Sequence, residues 1–258
     1  MNEINENKRV VIIPGRYFNG NAAMYQIENT IIAGQSRTNV TTALNGILTE
    51  MVIQHSPTVL SLEFYESKEY PSIWSTCAKK PWCMRSQPEN VNNILKRLKV
   101  IKQYFEFGGA YNQNLHRDCI RVIALHNVDL LIREYGEEFK ETLKYLVEWG
   151  PTFNFYFICT TADVFAVKEI LPYFRMRLGS SLDNKSSEEF MGCNICTHEE
   201  VFSGAIWMYD IKSIDFYQRL KVNFYPDTFL SKLMKLFHIK GNLTKDDYEL
   251  FHEERYHE

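Results

Sequence analysis

Short runs of apolar residues alternate along this sequence with longer segments whose apolar residues recur every three or four positions. The first run is Val10-Val11-Ile12-Ile13, stopped by Pro14-Gly15, with a turn or hairpin expected over residues 14–26. Further runs lie at residues 29–34, 58–65, 119–125, 154–160, 174–178 and 205–209. The helical period is carried by residues 40–53 (Val40, Ala43, Leu44, Ile47, Leu48, Met51), 90–107, 136–150 and 164–171. Residues 212–217 and 227–237 also read as helices, and Thr244 reads as the N-cap of a last, charged and solvated helix. A strand apolar on both faces must be covered on both faces. The expectation is therefore an α/β fold, a mostly parallel sheet flanked by helices on both sides. No Pro/Gly/Ser linker divides the chain, so one structural domain is expected. Residues 1–28 would give an edge strand and turn, 29–210 the core, and 211–258 a helical extension.

The chain has 258 residues, enough to bury a large core without disulfides. Its 29 basic and 32 acidic residues give a formal charge of −3. That balance offers no general attraction for nucleic acid or anionic lipid. No apolar run approaches the roughly 18 residues of a membrane span, and residues 1–9 lack a signal-peptide core. With six cysteines and no secretion signal, the expectation is a cytoplasmic chain with reduced thiols and no membrane contact of its own.

The run at 29–34 followed by a short loop and a helix is where a phosphate-binding loop would sit. That loop reads G-x-x-x-x-G-K-[ST]: its amides cradle phosphate, its Lys neutralises charge and its hydroxyl holds Mg²⁺. Here the stretch is Gly34-Gln35-Ser36-Arg37-Thr38-Asn39-Val40-Thr41. The first Gly and the final Thr are present; Asn39 stands for the second Gly and Val40 for the Lys.

In the order of its segments the sequence resembles the FtsK/SpoIIIE-type P-loop ATPase family over roughly residues 10–210. The resemblance runs through TIIAGQSRTNVTTALNGIL, SPTVLSLEFYESKEYPSIW, NVNNILKRLKVIKQYF, RVIALHNVDLLI, FNFYFICTTADV and FRMRLGSSLDNKSSEEFMG. In the family these places hold the Walker A loop, the second strand, a long helix, the Walker B strand, the sensor strand and an edge strand. The implied fold is RecA-like. Each catalytic position the resemblance carries over is altered. Leu125 and His126 stand where the Walker B strand ends in Asp-Glu, and Thr160-Thr161 where the sensor strand ends in Thr-Gln.

Phosphoryl transfer rests on positioning and charge stabilisation. Losing one electrostatic contributor costs about 10²–10³ in rate, so losing several leaves no useful turnover. The resemblance thus implies a degenerate, non-hydrolysing domain, with no cofactor or only weakly bound ATP and Mg²⁺ at residues 34–41, 125 and 126. Domains of this kind close the chain of type VII secretion coupling proteins, where they are associated with substrate recruitment. The implied partners are a secreted protein or neighbouring ATPase domains, in a hexamer when part of a full-length, membrane-anchored motor. The alternative is an ATP-binding translocase subunit, for protein or DNA, with non-consensus catalytic residues. A DNA-binding subunit finds no support in the charge.

Other candidates have bland readings beside them. Cys193-x₂-Cys196-x-His198 has the start of a zinc knuckle, with Cys77 and Cys83 too widely spaced to complete it, so we read unligated thiols. Cys119 and Cys159 lie on apolar runs and read as small buried hydrophobes. His126, at the end of a central strand, is either a functional residue or a drifted one. Tyr70, Trp74, Trp82, Met84 and Arg85, near Lys79 and Lys80, form either a protein-binding surface or a loop that folds its aromatics onto the sheet.

Overall fold

The computed structural model of the chain describes residues 10–55, 59–67, 69–72, 74, 83–86, 92–108, 119–197, 205–211, 217–226 and 228–230. Its strands are β1 (Val11–Arg16), β2 (Ala22–Gln26), β3 (Thr30–Gly34), β4 (Leu60–Glu66), β5 (Cys83–Ser86), β6 (Ile120–His126), β7 (Phe155–Thr161), β8 (Met176–Ser180), β9 (Ala205–Asp210) and β10 (Tyr217–Lys221). Its helices are α1 (Arg37–Gln54), α2 (Asn92–Gln103), α3 (Val128–Tyr135), α4 (Glu137–Trp149) and α5 (Asn184–Met191). One π-helical turn, Tyr104–Gly108, continues α2.

All ten strands join one sheet in the order β2-β1-β10-β9-β8-β3-β7-β6-β4-β5. The block β8-β3-β7-β6-β4-β5 is parallel, as the apolar runs require. The remaining strands extend it antiparallel. The side-chain period of two sorts each run onto two faces. Ile32, Leu62, Phe64, Val122, Ile158 and Leu178 pack with α1 on one face. Ile31, Tyr65, Ile123, Leu125, Phe157 and Cys159 pack with α2, α3, α4 and α5 on the other. Cys119 and Cys159 are both buried, as expected.

Several elements differ from the sequence expectation. β1 runs through Pro14 and Gly15 because its register with β2 shifts between Ile12 and Gly15, and a bulge tolerates proline. Gly15 is required: a Cβ there would lie 2.5 Å from the Lys221 carbonyl oxygen on β10. α1 begins at Arg37, inside the stretch expected as loop, so only Gln35 and Ser36 connect it to β3. The segment 164–171 forms two 3₁₀ turns, Phe165–Val167 and Leu171–Tyr173. Asp163 Oδ1 caps the first, accepting from the amides of Phe165 (3.0 Å) and Ala166 (3.2 Å).

Four elements went unread. β5 is a four-residue edge strand. α3 follows Asn127 in the left-handed region (φ 59°) and is closed by Gly136 (φ 73°). α5 is capped by Asp183, which accepts from the Ser186 amide at 2.9 Å, and closed by Gly192 (φ 80°). Tyr217, expected at the end of a helix, starts strand β10, which lies between β1 and β9 in the same sheet. Residues 228–230 are helical. Residues 212–216, the rest of the expected helix to 237, the tail helix, Cys77, Lys79, Lys80, Trp82 and His198 lie outside the described residues. So do the side chains of Cys83, Met84 and Arg85.

Two buried polar contacts fix helices to this frame. On one face, Glu63 of β4 receives Arg97 of α2 in a fork: Nε to Oε2 at 3.0 Å and an η nitrogen to Oε1 at 2.6 Å. The Tyr65 hydroxyl also donates to Glu63, at 2.6 Å. On the other face, residues 222–226 cross α1. A Cβ on Gly46 would stand 2.4 Å from the Asn223 carbonyl oxygen, so only glycine admits the crossing. Glu50 Oε1 accepts from Asn223 Nδ2 (2.9 Å) and from the Tyr225 hydroxyl (2.6 Å), which ties this strap down. Among the described residues no helix is long and apolar enough to cross a membrane.

Candidate functional site

The carboxyl ends of β3, β6, β7 and β8 place Gly34, His126, Thr161 and Ser180 along one edge of the sheet, where open α/β sheets form their ligand crevice. β7 lies between β3 and β6, so the strands expected from the resemblance to carry the sensor, Walker A and Walker B positions are neighbours. The sequence-predicted residues Gly34 to Thr41, Leu125 and His126 therefore do gather at this edge.

Their environments are specific. A Cβ on Gly34 would fall 2.9 Å from the Ser180 carbonyl oxygen and 3.2 Å from Val40 Cγ1, so packing alone demands this glycine. Val40 is 1% exposed and Leu125 0%, each in the core. Ser36 ends the link in extended conformation without a side-chain cap bond. Its carbonyl receives the amides of Asn39 (3.1 Å) and Val40 (3.3 Å), so these two amides serve the first helical turn.

Arg37 turns back onto the sheet edge. Its guanidinium reaches Asp129 of α3 through two contacts, at 2.6 and 3.2 Å, and the Asn127 side-chain oxygen at 2.8 Å. Tyr70 lies against it with 4.9 Å from Cζ to the ring centroid. The Asp129 side chain is 4% exposed and that of Arg37 22%. Asp129 Oδ1 also accepts from the Ala162 amide at 3.4 Å. Bidentate pairing of this kind fixes both partners.

His126, 1% exposed, links α1 to β7. The Asn127 amide donates to Thr160 Oγ1 at 2.8 Å, and the same hydroxyl lies 2.7 Å from His126 Nδ1. Thr41 Oγ1 donates to the Arg37 carbonyl at 2.7 Å and so accepts from His126 Nε2 at 3.1 Å. In the neutral ring Nδ1 then accepts the Thr160 proton, so each hydroxyl proton and each ring nitrogen has one role. Burial, reinforced by the nearby Arg37 charge and opposed by Asp129, lowers the His126 pKa to about 4.

The sign of the pH effect follows. The unfolded chain binds the His126 proton near pH 6.5 and the folded chain near 4, so between these values the unfolded state holds more protons. The stabilisation is complete above pH 6.5 and is lost as the pH falls toward 4. We expect wild type to lose about 2 kcal/mol more than His126→Asn between pH 7 and pH 5, read by urea unfolding at each pH. Parallel pH profiles for the two chains would show that His126 is not held neutral.

Beside this network lies a cleft of about 540 Å³. The first turns of α1 make one wall with Thr38, Thr42 and Asn45; Tyr70-Pro71 and Phe224-Tyr225-Pro226 make the others. Sequence reasoning missed Asn45, Asp129 and the strap. Of the expected partner-binding aromatics, Tyr70 is at this cleft, 47% exposed. Trp74 corrects the expectation: it is 0% exposed, packed with α1, and its Nε1 donates to Asn45 Oδ1 at 3.0 Å. An indole with its one donor satisfied internally is core.

The two cysteines of the C-x₂-C stretch serve packing. Cys196 is buried beneath Gly179, where a Cβ would come within 2.6 Å of its Sγ. Ser187 Oγ donates to the Cys193 carbonyl (2.9 Å) and accepts from the Cys196 amide (3.1 Å), which closes the turn. Among the described residues the one group spaced to hold a metal is the exposed set Glu137, Glu141 and Glu169. Lys140 already bridges Glu137 (2.8 Å) and Glu169 (3.1 Å).

No family model and no curated protein matches the chain. Solved structures do. The cytoplasmic domain of the type VII secretion ATPase EccC from Thermomonospora curvata is 12% identical over 84% of this chain and 29% of that one, with a TM-score of 0.69. ATPases 2 and 3 of this EccC have also been solved in complex with a signal sequence peptide, with a TM-score of 0.60, 14% identity and coverage of 92% and 48%. ATPases 2 and 3 of EssC from Geobacillus thermodenitrificans give 0.69, 14% identity, and coverage of 94% of this chain and 50% of that one. The pCW3 conjugation coupling protein TcpA, solved with ATPγS, gives 0.64 and 15% identity over 92% and 73%. The chain spans less than a third of the first of these structures and half of the EssC one. In fold, then, the chain is similar to the α/β ATPase domains of these secretion and conjugation proteins.

Proposed function

We propose that the chain is a non-hydrolysing domain of a translocation motor that works by docking protein, either a transported substrate or a neighbouring ATPase domain. The observation that carries this reading is the commitment of Arg37. It is the one basic side chain of the Gly34–Thr41 stretch, and its guanidinium is held by Asp129 and Asn127. A phosphate arriving at this edge would have to break a bidentate ion pair to gain a counter-charge. The places of the Walker lysine and acid are taken by Val40 and Leu125, which are core residues, and the hydroxyl of Thr41 is engaged by His126. Among residues 34–41, 125 and 126 none offers a carboxylate to polarise water or an uncommitted cation to gather phosphate charge. A signal sequence peptide is the ligand of one structural neighbour, EccC, which agrees with a docking role.

Calorimetric titration of Mg-ATP into the purified chain, with phosphate release measured in parallel, tests this. The expected result is no saturable heat and no release above buffer. Turnover that Thr41→Ala abolishes would overturn the reading in favour of a translocase subunit with non-consensus catalytic residues.

A further inference from the structure

We infer that the cleft between α1 and the strap takes an extended, uncharged peptide segment that inserts an aromatic or large aliphatic side chain. The inference rests on the docking role proposed above and names the site and chemistry of that docking.

The cleft volume of about 540 Å³ falls within the roughly 300–1,000 Å³ of ligand sites. Its charges are already spent. Arg37 is paired with Asp129, and Glu69 at the rim pairs with Arg133 at 3.2 Å. Among the described lining residues an anionic ligand would meet no uncommitted cation, and a cationic one would have to compete with Arg133 for Glu69. What the cleft does offer is an oriented amide. Asn45 is 7% exposed, and its Oδ1 accepts from Trp74 Nε1 at 3.0 Å. An indole N–H can only donate, so this bond fixes which way the carboxamide lies. Asn45 is a residue of the cleft wall, and among the described residues no partner takes its NH₂ group, which is a donor for a carbonyl. One turn back, Thr42 Oγ1 donates to the Thr38 carbonyl at 2.9 Å and keeps its lone pairs as an acceptor for an N–H. A donor and an acceptor on one helical wall match the carbonyl and amide of an extended main chain.

The facing walls supply the apolar contact. Phe224 is 70% exposed and Tyr70 47%, the two large exposed rings of the cleft. Neither is floppy. Tyr70 lies on the Arg37 guanidinium, and Phe224 is borne on the strap that Asn223 and Tyr225 anchor to Glu50. Exposed aromatics at a concave site whose charges are paired are residue types that dominate peptide recognition.

The test uses the whole chain and fluorescein-labelled, capped hexapeptides Ser-Gly-Ala-X-Gly-Ser with X as Phe, Leu, Lys or Glu, read by anisotropy. The expected result is at least tenfold tighter binding for X as Phe or Leu than for Lys or Glu. Phe224→Ser and Asn45→Asp should each lose tenfold or more. Phe224 is exposed, so its replacement leaves folding unaffected even if Asn45→Asp, which keeps the acceptor for Trp74, proves unstable. Equal binding by wild type and Phe224→Ser, indifference to X, or no binding at all would overturn the assignment of the cleft. Displacement of the Phe peptide by Mg-ATP would instead overturn the non-nucleotide reading beneath it.

Discussion

Arg37→Ala should lower the unfolding free energy by about 3 kcal/mol, and adding Asp129→Asn to the same chain should recover more than half of that loss. The asymmetry comes from what each substitution leaves behind. Removing Arg37 strands a carboxylate whose side chain is 4% exposed and whose Oδ2 loses its contact at 2.6 Å. An uncompensated buried charge costs about 3–5 kcal/mol, and the lower end applies because Arg37 itself is partly open to water. A carboxamide at 129 can stay buried at far lower cost and still accept from the Ala162 amide. Urea unfolding of wild type, the single and the double variant measures all three. A double variant no more stable than Arg37→Ala would mean that the cost lies in lost packing of the guanidinium on Tyr70 and not in the stranded charge. The same comparison bears on function: if the pair holds α1 to α3, its loss should loosen the sheet edge without creating a nucleotide site.

How much of this was legible in the sequence depends on how far apart the partners lie. The strand–helix unit at 29–54 was readable because its signals are local: an apolar run, a glycine, then a three-to-four period. The start of α1 was misplaced because Ser36 caps it without a side-chain bond, so the usual mark was silent. The ion pair of Arg37 was not readable at all, since Asp129 is 92 positions away and looks like part of an apolar Asp-Leu-Leu motif. Trp74 misled for the opposite reason. Its neighbours Lys79 and Lys80 suggest a surface, whereas its fate is decided by Asn45 on α1. The strap 222–226 has no period of its own; only Gly46, buried in mid-helix, hinted that another backbone passes close. Caps at Asp183 and Gly192 were present in the sequence and went unused, so α5 could have been found.

The second large effect is expected at the opposite face. Arg97→Ala should cost about 3–5 kcal/mol, whereas the triple variant Glu63→Leu/Tyr65→Phe/Arg97→Met should be at least as stable as wild type. Arg97 and Glu63 are 4% and 2% exposed, and the Tyr65 hydroxyl adds a bond of 2.6 Å to Glu63. Truncating the arginine removes the forked donor from a carboxylate that is 2% exposed. Replacing all three polar groups by apolar ones of similar volume removes the desolvation cost together with the attraction, and dense packing can then supply the contact energy. A triple variant much less stable than wild type would make the cluster a net stabiliser. A triple variant of equal stability and equal urea slope would leave one reason for the pair: it sets where α2 crosses β4, since a forked guanidinium accepts one carboxylate in one orientation and an apolar seam accepts several. Those two outcomes separate by the unfolding midpoint alone.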